Sequence, residues 1–407
     1  MKYILLLLLV PFLVLSQTDA QKEAIKNRDK YLFGTTRLQK NFVKTIPFEY
    51  GVNEEIVVPV QIGGEIYHFL FDTGATTIVS QEIKDKLELH ELFSNEMVDG
   101  SGQIEQMPVY ILDKLAFSDI EFKDVAVIAS DFKKFGSLFC EKIDGLLGTN
   151  IMRTCHWKID YKNRQLIMSD KKIKPSKNFY PIDFKEGFSG SPLLTVYMGG
   201  YSVIMLMDTG YNGGFSIPDS LFFKSEKLRS LPYNKGYGNS TITLYNAKPR
   251  QKYLAAIDSV YIENKRHLVK NGIADIDEGE TFLIGNDIFE GFGEVILDWD
   301  KKRIYLPETV VEEDDKYNTF GFGPAYDDGT ITIALVWEGS SAFTQGLEVG
   351  DVVISINGTD CQNIDRKKWC ALVGLIKNKE TKTLPVTIKK KDGTEKGYIL
   401  KRGNLFE

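Results

Sequence analysis

The sequence has little of what most metal and nucleophile sites are built from. There are four histidines and four cysteines in 407 residues. His68, His90, His156 and His267 make no His-X-X-X-His pair, and no Cys-X-X-Cys occurs, so neither a zinc site nor any other metal site is expected. No Gly-X-Ser-X-Gly turn and no Gly-X-X-X-X-Gly-Lys loop is present, which removes the usual serine-nucleophile and nucleotide-phosphate signatures. No cofactor is expected. Positive charge is not in excess: the net charge is −6, which argues against a nucleic-acid surface. Long apolar runs are confined to the N-terminus. There "MKYILLLLLVPFLVLS" sets one Lys before a run of signal-peptide length, too short to span a bilayer comfortably, and Val14 and Ser16 fit a cleavage site before Gln17. Residues 1–16 read as a signal peptide, with a retained anchor as the alternative. The product is expected to be exported, periplasmic or secreted, without a stable membrane span.

The cysteines suit export. Cys140 and Cys155 lie in one stretch of the chain, and Cys361 and Cys370 in another, so the simplest disulfide pairing is local. Buried free thiols are the other reading, because sequence does not show whether the Cα atoms are within bridging distance.

What is present is β structure in a repeated pattern. Hydrophobic residues make up 43% of the chain, enough for each of several domains to bury a core. Short runs rich in Val, Ile, Phe and Tyr alternate with glycine turns. "FLFDTGATTIVS" (69–80) is an apolar run broken by Asp72, and "IMLMDTGYNGGFSIP" from Ile204 is broken in the same way by Asp208. Two further landmarks follow each break: Gly148 in "LLGTNIM" matches Gly285 in "LIGNDIF", and Asp160 in "IDYKN" matches Asp298 in "LDWDKK". Their separations are 136 (72 to 208), 137 (148 to 285) and 138 (160 to 298), which marks an internal duplication. The expected lobes are 45–175 and 176–308. Each opens with a hairpin turning at Gly63-Gly64 or Gly199-Gly200. Each has a second glycine-rich turn midway: Gly100, Ser101 and Gly102 in the first, and 236–239, with Gly238 and Asn239, in the second. Residues 17–44 are polar and fit a linker, a short helix or a propeptide. Residues 309–317, with acids from Glu312 to Asp315, read as a solvated linker. Asp160 and Asp298 read as hairpin-turn residues.

An aspartate ending an apolar strand is costly to bury alone. If two related lobes pack about a pseudo-twofold axis, Asp72 and Asp208 meet, and two touching carboxylates hold one proton between them over a pH window. The ionised member then takes a proton from water while the protonated one donates to a carbonyl oxygen. The paired Asp-Thr-Gly motifs and the later "LLG" and "LIG" resemble the aspartic peptidases of the pepsin and retropepsin group over 45–308, with "DTGA" at 72–75 closer to retropepsins. The resemblance implies a mostly β fold of two duplicated acid-protease-type β-barrel lobes in one chain, and an endopeptidase that needs no dimerisation for its active site. It implies Asp72 and Asp208 as the catalytic pair, supported by Thr73, Gly74, Ala75, Thr209 and Gly210. The midway turns would be flaps over a peptide or protein substrate. The sequence departs from pepsins in lacking a Tyr at the first flap tip, and in having Ala75 and Tyr211 where many carry Ser or Thr. With that hydroxyl missing, the pair is expected to work nearer neutral pH than pepsin-type enzymes.

From Phe320 a further β-rich unit begins. "GDVVISING" (350–358) resembles a PDZ domain, a small β-sandwich or barrel with helices, over 318–404. "FGFG" then sits where that family binds a peptide C-terminus, implicating Gly321, Phe322 and Gly323. A unit that only packs on the peptidase is the alternative. Two functions from different classes follow: an exported peptidase with a recognition module, or a catalytically silent peptide-binding protein using the same surfaces. A structural envelope protein of protease ancestry is a third.

Overall fold

Alternation of buried and exposed side chains shapes the first hairpin. In β1 (Ile56–Ile62), Val58, Val60 and Ile62 are buried while Pro59 and Gln61 face solvent, the period-two pattern of a strand covered on one face. β2 (Glu65–Phe71) pairs with it antiparallel, Val60 opposite Tyr67. β2 ends in the buried run Phe69, Leu70, Phe71, immediately before Asp72. β3 (Ile78–Ser80), β4 (Ile120–Ser130) and β5 (Gly145–Leu147) lie in the same sheet, which Glu91–Val98 and Ile104–Phe117 extend beyond β1. β5 runs parallel to β2, Leu146 opposite Leu70, and antiparallel to β3, while β4 lies parallel to β3 on its other side.

This computed structural model describes residues 19–51, 54–98, 104–132, 142–239, 249–262, 266–277, 282–312 and 318–406. In the second half, β6 (Pro192–Met198) and β7 (Tyr201–Asp208) form a hairpin, and β8 (Phe215–Pro218) follows it. β9 (Tyr233–Gly238), β10 (Arg250–Ile262), β11 (Arg266–Asp277) and β12 (Leu283–Gly285) then extend the sheet. β12 runs parallel to β7, Asp208 opposite Gly285, and antiparallel to β8. β11 runs parallel to β8, and β10 and β9 follow antiparallel. The two halves share a six-stranded sheet whose seam pairs His156–Asp160 with Glu294–Asp298, Ile159 opposite Val295. Trp157 on that seam is fully buried, and its ring meets Phe71 edge-on at 5.2 Å. The aromatic floor thus lies directly under the strand end that carries Asp72.

The edges of the fold depart from the sequence reading. Thr36–Arg37 pairs with β4, Val43–Pro47 joins the six-stranded sheet, and Leu32 and Phe42 are buried. The stretch read as a linker, a short helix or a propeptide as far as 44 does contain a short helix, Asp19–Asn27, and enters the fold before it ends. Val311–Glu312, placed in the acidic linker, pairs parallel with β11.

The C-terminal unit has its own core, including Phe320, Ile333, Trp369 and Leu400. It contains β13 (Phe322–Asp327), β14 (Thr330–Trp337) and α1 (Arg366–Lys377). It is not a bead on a string. β9 pairs antiparallel with β14, placing Gly236, Tyr237 and Gly238 opposite Trp337, Val336 and Leu335. The Asn239 N–H donates to Ala334 O at 2.7 Å, and Asn234 Nδ2 donates to Leu405 O at 2.7 Å. Gly238 and Asn239, expected at a free flap tip, are instead joined to the C-terminal unit. The glycines permit this joint. A Cβ at 236 would lie 2.6 Å from the Trp337 ring, and Gly238 sits at φ +139, open in practice only to glycine.

Gly238→Ala is therefore expected to cost roughly 1–3 kcal/mol and to open the β9–β14 joint. Urea denaturation gives the stability, and hydrogen exchange at Asn239 and Glu338, whose N–H groups bond across to Ala334 O and Lys235 O, reports the joint. Wild-type protection in the variant would show that the glycine is not required there.

Candidate active site

The two Asp-Thr-Gly turns interlock. The Thr73 N–H donates to Thr209 Oγ1 at 3.0 Å, and the Thr209 N–H donates to Thr73 Oγ1 at 3.0 Å. Each hydroxyl in turn donates to the strand before the opposite turn: Thr73 Oγ1 to Met207 O at 2.8 Å, and Thr209 Oγ1 to Phe71 O at 2.7 Å. Both threonines are buried, so these polar groups have no water to turn to. The glycines allow the approach. A Cβ on Gly74 would lie 2.5 Å from Asp208 Cγ, and one on Gly210 would lie 2.6 Å from Asp72 Cγ. The Asp72 N–H also donates to Leu147 O of β5 at 3.1 Å, and the N–H of Asn286, which opens the helix after β12, donates to Tyr211 O at 2.7 Å.

This arrangement brings Asp72 and Asp208 into hydrogen-bond contact. Each carboxylate also accepts two backbone N–H groups of its own turn. Asp72 Oδ1 takes those of Gly74 (2.7 Å) and Ala75 (3.1 Å), and Asp208 Oδ1 takes those of Gly210 (2.8 Å) and Tyr211 (3.2 Å). Burial, and after it the charge of Asp208, push the Asp72 carboxyl well above the ordinary carboxylate range against those N–H groups. Burial also raises Asp208, opposed by the Gly210 N–H, the bond to Asp72 and the Tyr211 N–H. The two carboxyls titrate as a pair that holds one proton between them over a pH window. Asp72, Thr73, Gly74, Ala75, Asp208, Thr209 and Gly210 all meet at this one place. Ala75 and Tyr211 still supply N–H groups to the carboxylates, which residue-type comparison of the fourth position overlooked.

The remaining residues chosen from sequence lie elsewhere. Gly100, Ser101 and Gly102 fall outside the described residues. Gly321, at φ +89, accepts from the Trp337 N–H at 2.9 Å, Phe322 is buried, and Gly323 pairs with Leu335. Local disulfide pairing is overturned: Cys155 and Cys361 are free and buried, while Cys370 is disulfide-bonded. Cys140 lies outside the described residues. Asp160 and Asp298 accept the N–H groups of Asn163 and Lys301, three residues on.

Tertiary folding also assembles groups that spacing along the chain did not signal. His156, Asp298 and Asp300 bring ligand-type atoms within 4.8 Å of one another, as do Glu54, Asp287 and Glu290. Basic side chains supply countercharge at both. Lys172 lies 3.8 Å from Asp298, and Lys377 of α1 interacts with Glu55, Glu54 and Asp287.

Residues 58–151 match the aspartyl protease family model, and residues 308–389 match the PDZ domain model. The chain thus carries a domain of the aspartyl-protease clan and a separate PDZ domain, within a mostly β fold. No curated protein matches it in sequence. Among solved structures it is similar to the crystal structure of basic 7S globulin from soybean. That likeness is 11% in identity with a TM-score of 0.39, over 66% of this chain and 95% of that one.

Two outcomes test this geometry. Thr209→Val strands the Thr73 N–H and the Phe71 carbonyl, at a cost of about 1–3 kcal/mol for each, read by urea denaturation. Asp72 has a raised folded-state pKa, so its stabilising contribution is complete below the unfolded value and is lost as pH rises through the folded one. Asp72→Asn removes that loss, so its Tm should exceed that of wild type at neutral pH and fall less on going from acid to neutral.

Proposed function

We propose that this chain is an exported aspartic endopeptidase of two duplicated, retropepsin-like lobes. Asp208 accepts a proton from a water, whose oxygen adds to the peptide carbonyl carbon, while Asp72 donates its proton to the carbonyl oxygen. Collapse of the tetrahedral adduct breaks the C–N bond as Asp208 gives the proton it took to the leaving amine and a hydroxyl of the adduct returns one to Asp72. The observation that supports this reading best is the reciprocal threonine exchange, which sets two carboxylates in contact within one chain. Dimerisation is then not needed, and no metal or cofactor enters the chemistry. The PDZ domain captures a peptide or protein C-terminus at Gly321–Gly323, with backbone N–H groups taking the carboxylate and β13 pairing with the peptide. The disulfide at Cys370 suits a periplasmic or secreted setting.

A second reading is a catalytically silent peptide-binding protein using the same surfaces. It is favoured by the extent of the aspartyl-protease match, 58–151, which contains Asp72 but not Asp208.

Digestion of an unbiased peptide library across a pH series, read by mass spectrometry, separates the two. Hydrolysis is expected for wild type and is expected to be lost in both Asp72→Asn and Asp208→Asn. Because both carboxyls are raised, the optimum should lie above about pH 4. Library peptides retained but uncut by folded wild type would establish the second reading instead.

A further inference from the structure

The two Asp-Thr-Gly loops are followed by different residues, and sheet register carries the difference one strand further. Ala75 and Tyr211 occupy the same place after the two motifs. Ile78 and Ser216 hold the same place, opposite Leu146 and Leu283, which stand two residues before Gly148 and Gly285; Ile78 lies opposite Ile128 of β4, and Ser216 opposite Asp275 of β11. Where the first half has Ala75 and Ile128, the second has Tyr211 and Asp275.

These two side chains meet. The Tyr211 hydroxyl donates to Asp275 Oδ2 and lies 3.2 Å from Phe215 O. Its ring rests on Gly285, where a Cβ would stand 2.7 Å from Tyr211 Cδ1. Asp275 is itself embedded among charges. Asp277, Lys252 and Asp287 face it; Asp277 is bonded to Lys252, and Arg250 lies 3.5 Å from Asp277. Burial and the charge of Asp277 push the Asp275 carboxyl up to about 6, against the Tyr211 donor and Lys252. Tyr211 also presents its backbone N–H to Asp208 Oδ1. One residue therefore ties a carboxylate on β11 to the carboxylate at the end of β7. Ala75 offers Asp72 a similar N–H but no side chain to anchor it.

We propose that Tyr211 and Asp275 are a positioning pair that holds the second loop's N–H on Asp208 and so makes the two aspartates inequivalent. A fixed N–H favours the ionised form of its carboxylate. The pair thereby assigns Asp208 the part of base and leaves the proton on Asp72. Its kinetic consequence rests on the peptidase reading; its electrostatic consequence does not.

The test uses the full chain labelled with carboxyl-¹³C aspartate, titrated by NMR as wild type, Tyr211→Phe and Asp275→Asn, alongside kcat and KM on a cleaved peptide. Tyr211→Phe keeps the ring on Gly285 and removes only the anchor. The lower apparent pKa of the Asp72–Asp208 pair should rise, kcat should fall about tenfold, and KM should stay within about twofold. Asp275→Asn keeps a neutral acceptor and should shift the pair in the same direction by less. A Tyr211→Phe protein with a lower Tm but an unshifted titration would show a purely structural contact and overturn the proposal. If Tyr211→Phe does not fold, Asp275→Asn decides by the same criterion. If wild type cuts nothing, the peptidase reading fails on its own, and the titration still decides whether the pair sets Asp208.

Discussion

The exchange of hydrogen bonds between Thr73 and Thr209 is the constraint on which the rest of the structure depends. Each threonine serves the other's backbone N–H and the strand that enters the other's turn. Neither turn is complete without its counterpart. Four buried donors and acceptors would otherwise be left unpaired, each at a cost of about 1–3 kcal/mol. The six-stranded sheet is what makes the exchange available. By pairing His156–Asp160 with Glu294–Asp298 it fixes the distance between the halves, and Trp157 fills the space under Phe71.

The same closeness sets up an opposed electrostatic demand. Two carboxylates are held in contact and away from water, an arrangement that disfavours the charged form of both. The backbone N–H groups at residues 74, 75, 210 and 211 offset part of that cost. The rest is borne by the surrounding packing, as is usual where a site's arrangement works against stability.

The parts legible in the sequence were those with a local signature. Gly63-Gly64 and Gly199-Gly200 announced hairpins, and both hairpins formed. The offsets of 136, 137 and 138 between Asp72, Gly148, Asp160 and Asp208, Gly285, Asp298 marked a repeat, and the structure lays Phe71 opposite Leu147 and Asp208 opposite Gly285. What was lost depended on contacts between distant segments. Gly236 and Gly238 were read as a turn, but glycine also marks a place where another backbone comes close, and here that backbone is β14. Cys361 and Cys370 are near in sequence yet do not pair, because bridging depends on Cα geometry and not on spacing. Tyr211 looked like a missing hydroxyl beside Asp208. Its hydroxyl exists but points away, toward Asp275, which no local pattern linked to it.

The joint between β9 and β14 bears on how such a chain can be recombined. PDZ domains are commonly treated as interchangeable parts joined by linkers. Here the domain's strand is interleaved with the chain that precedes it, and the fit is written into two glycines outside the domain's own boundaries. Exchanging residues 318–404 for another PDZ domain would leave Gly236 and Gly238 shaped for a neighbour that is no longer there, and β9 would become an exposed edge open to pairing with other chains. The surface against which this domain is fitted therefore includes Gly236–Gly238 of β9, a stretch of chain far before the domain begins.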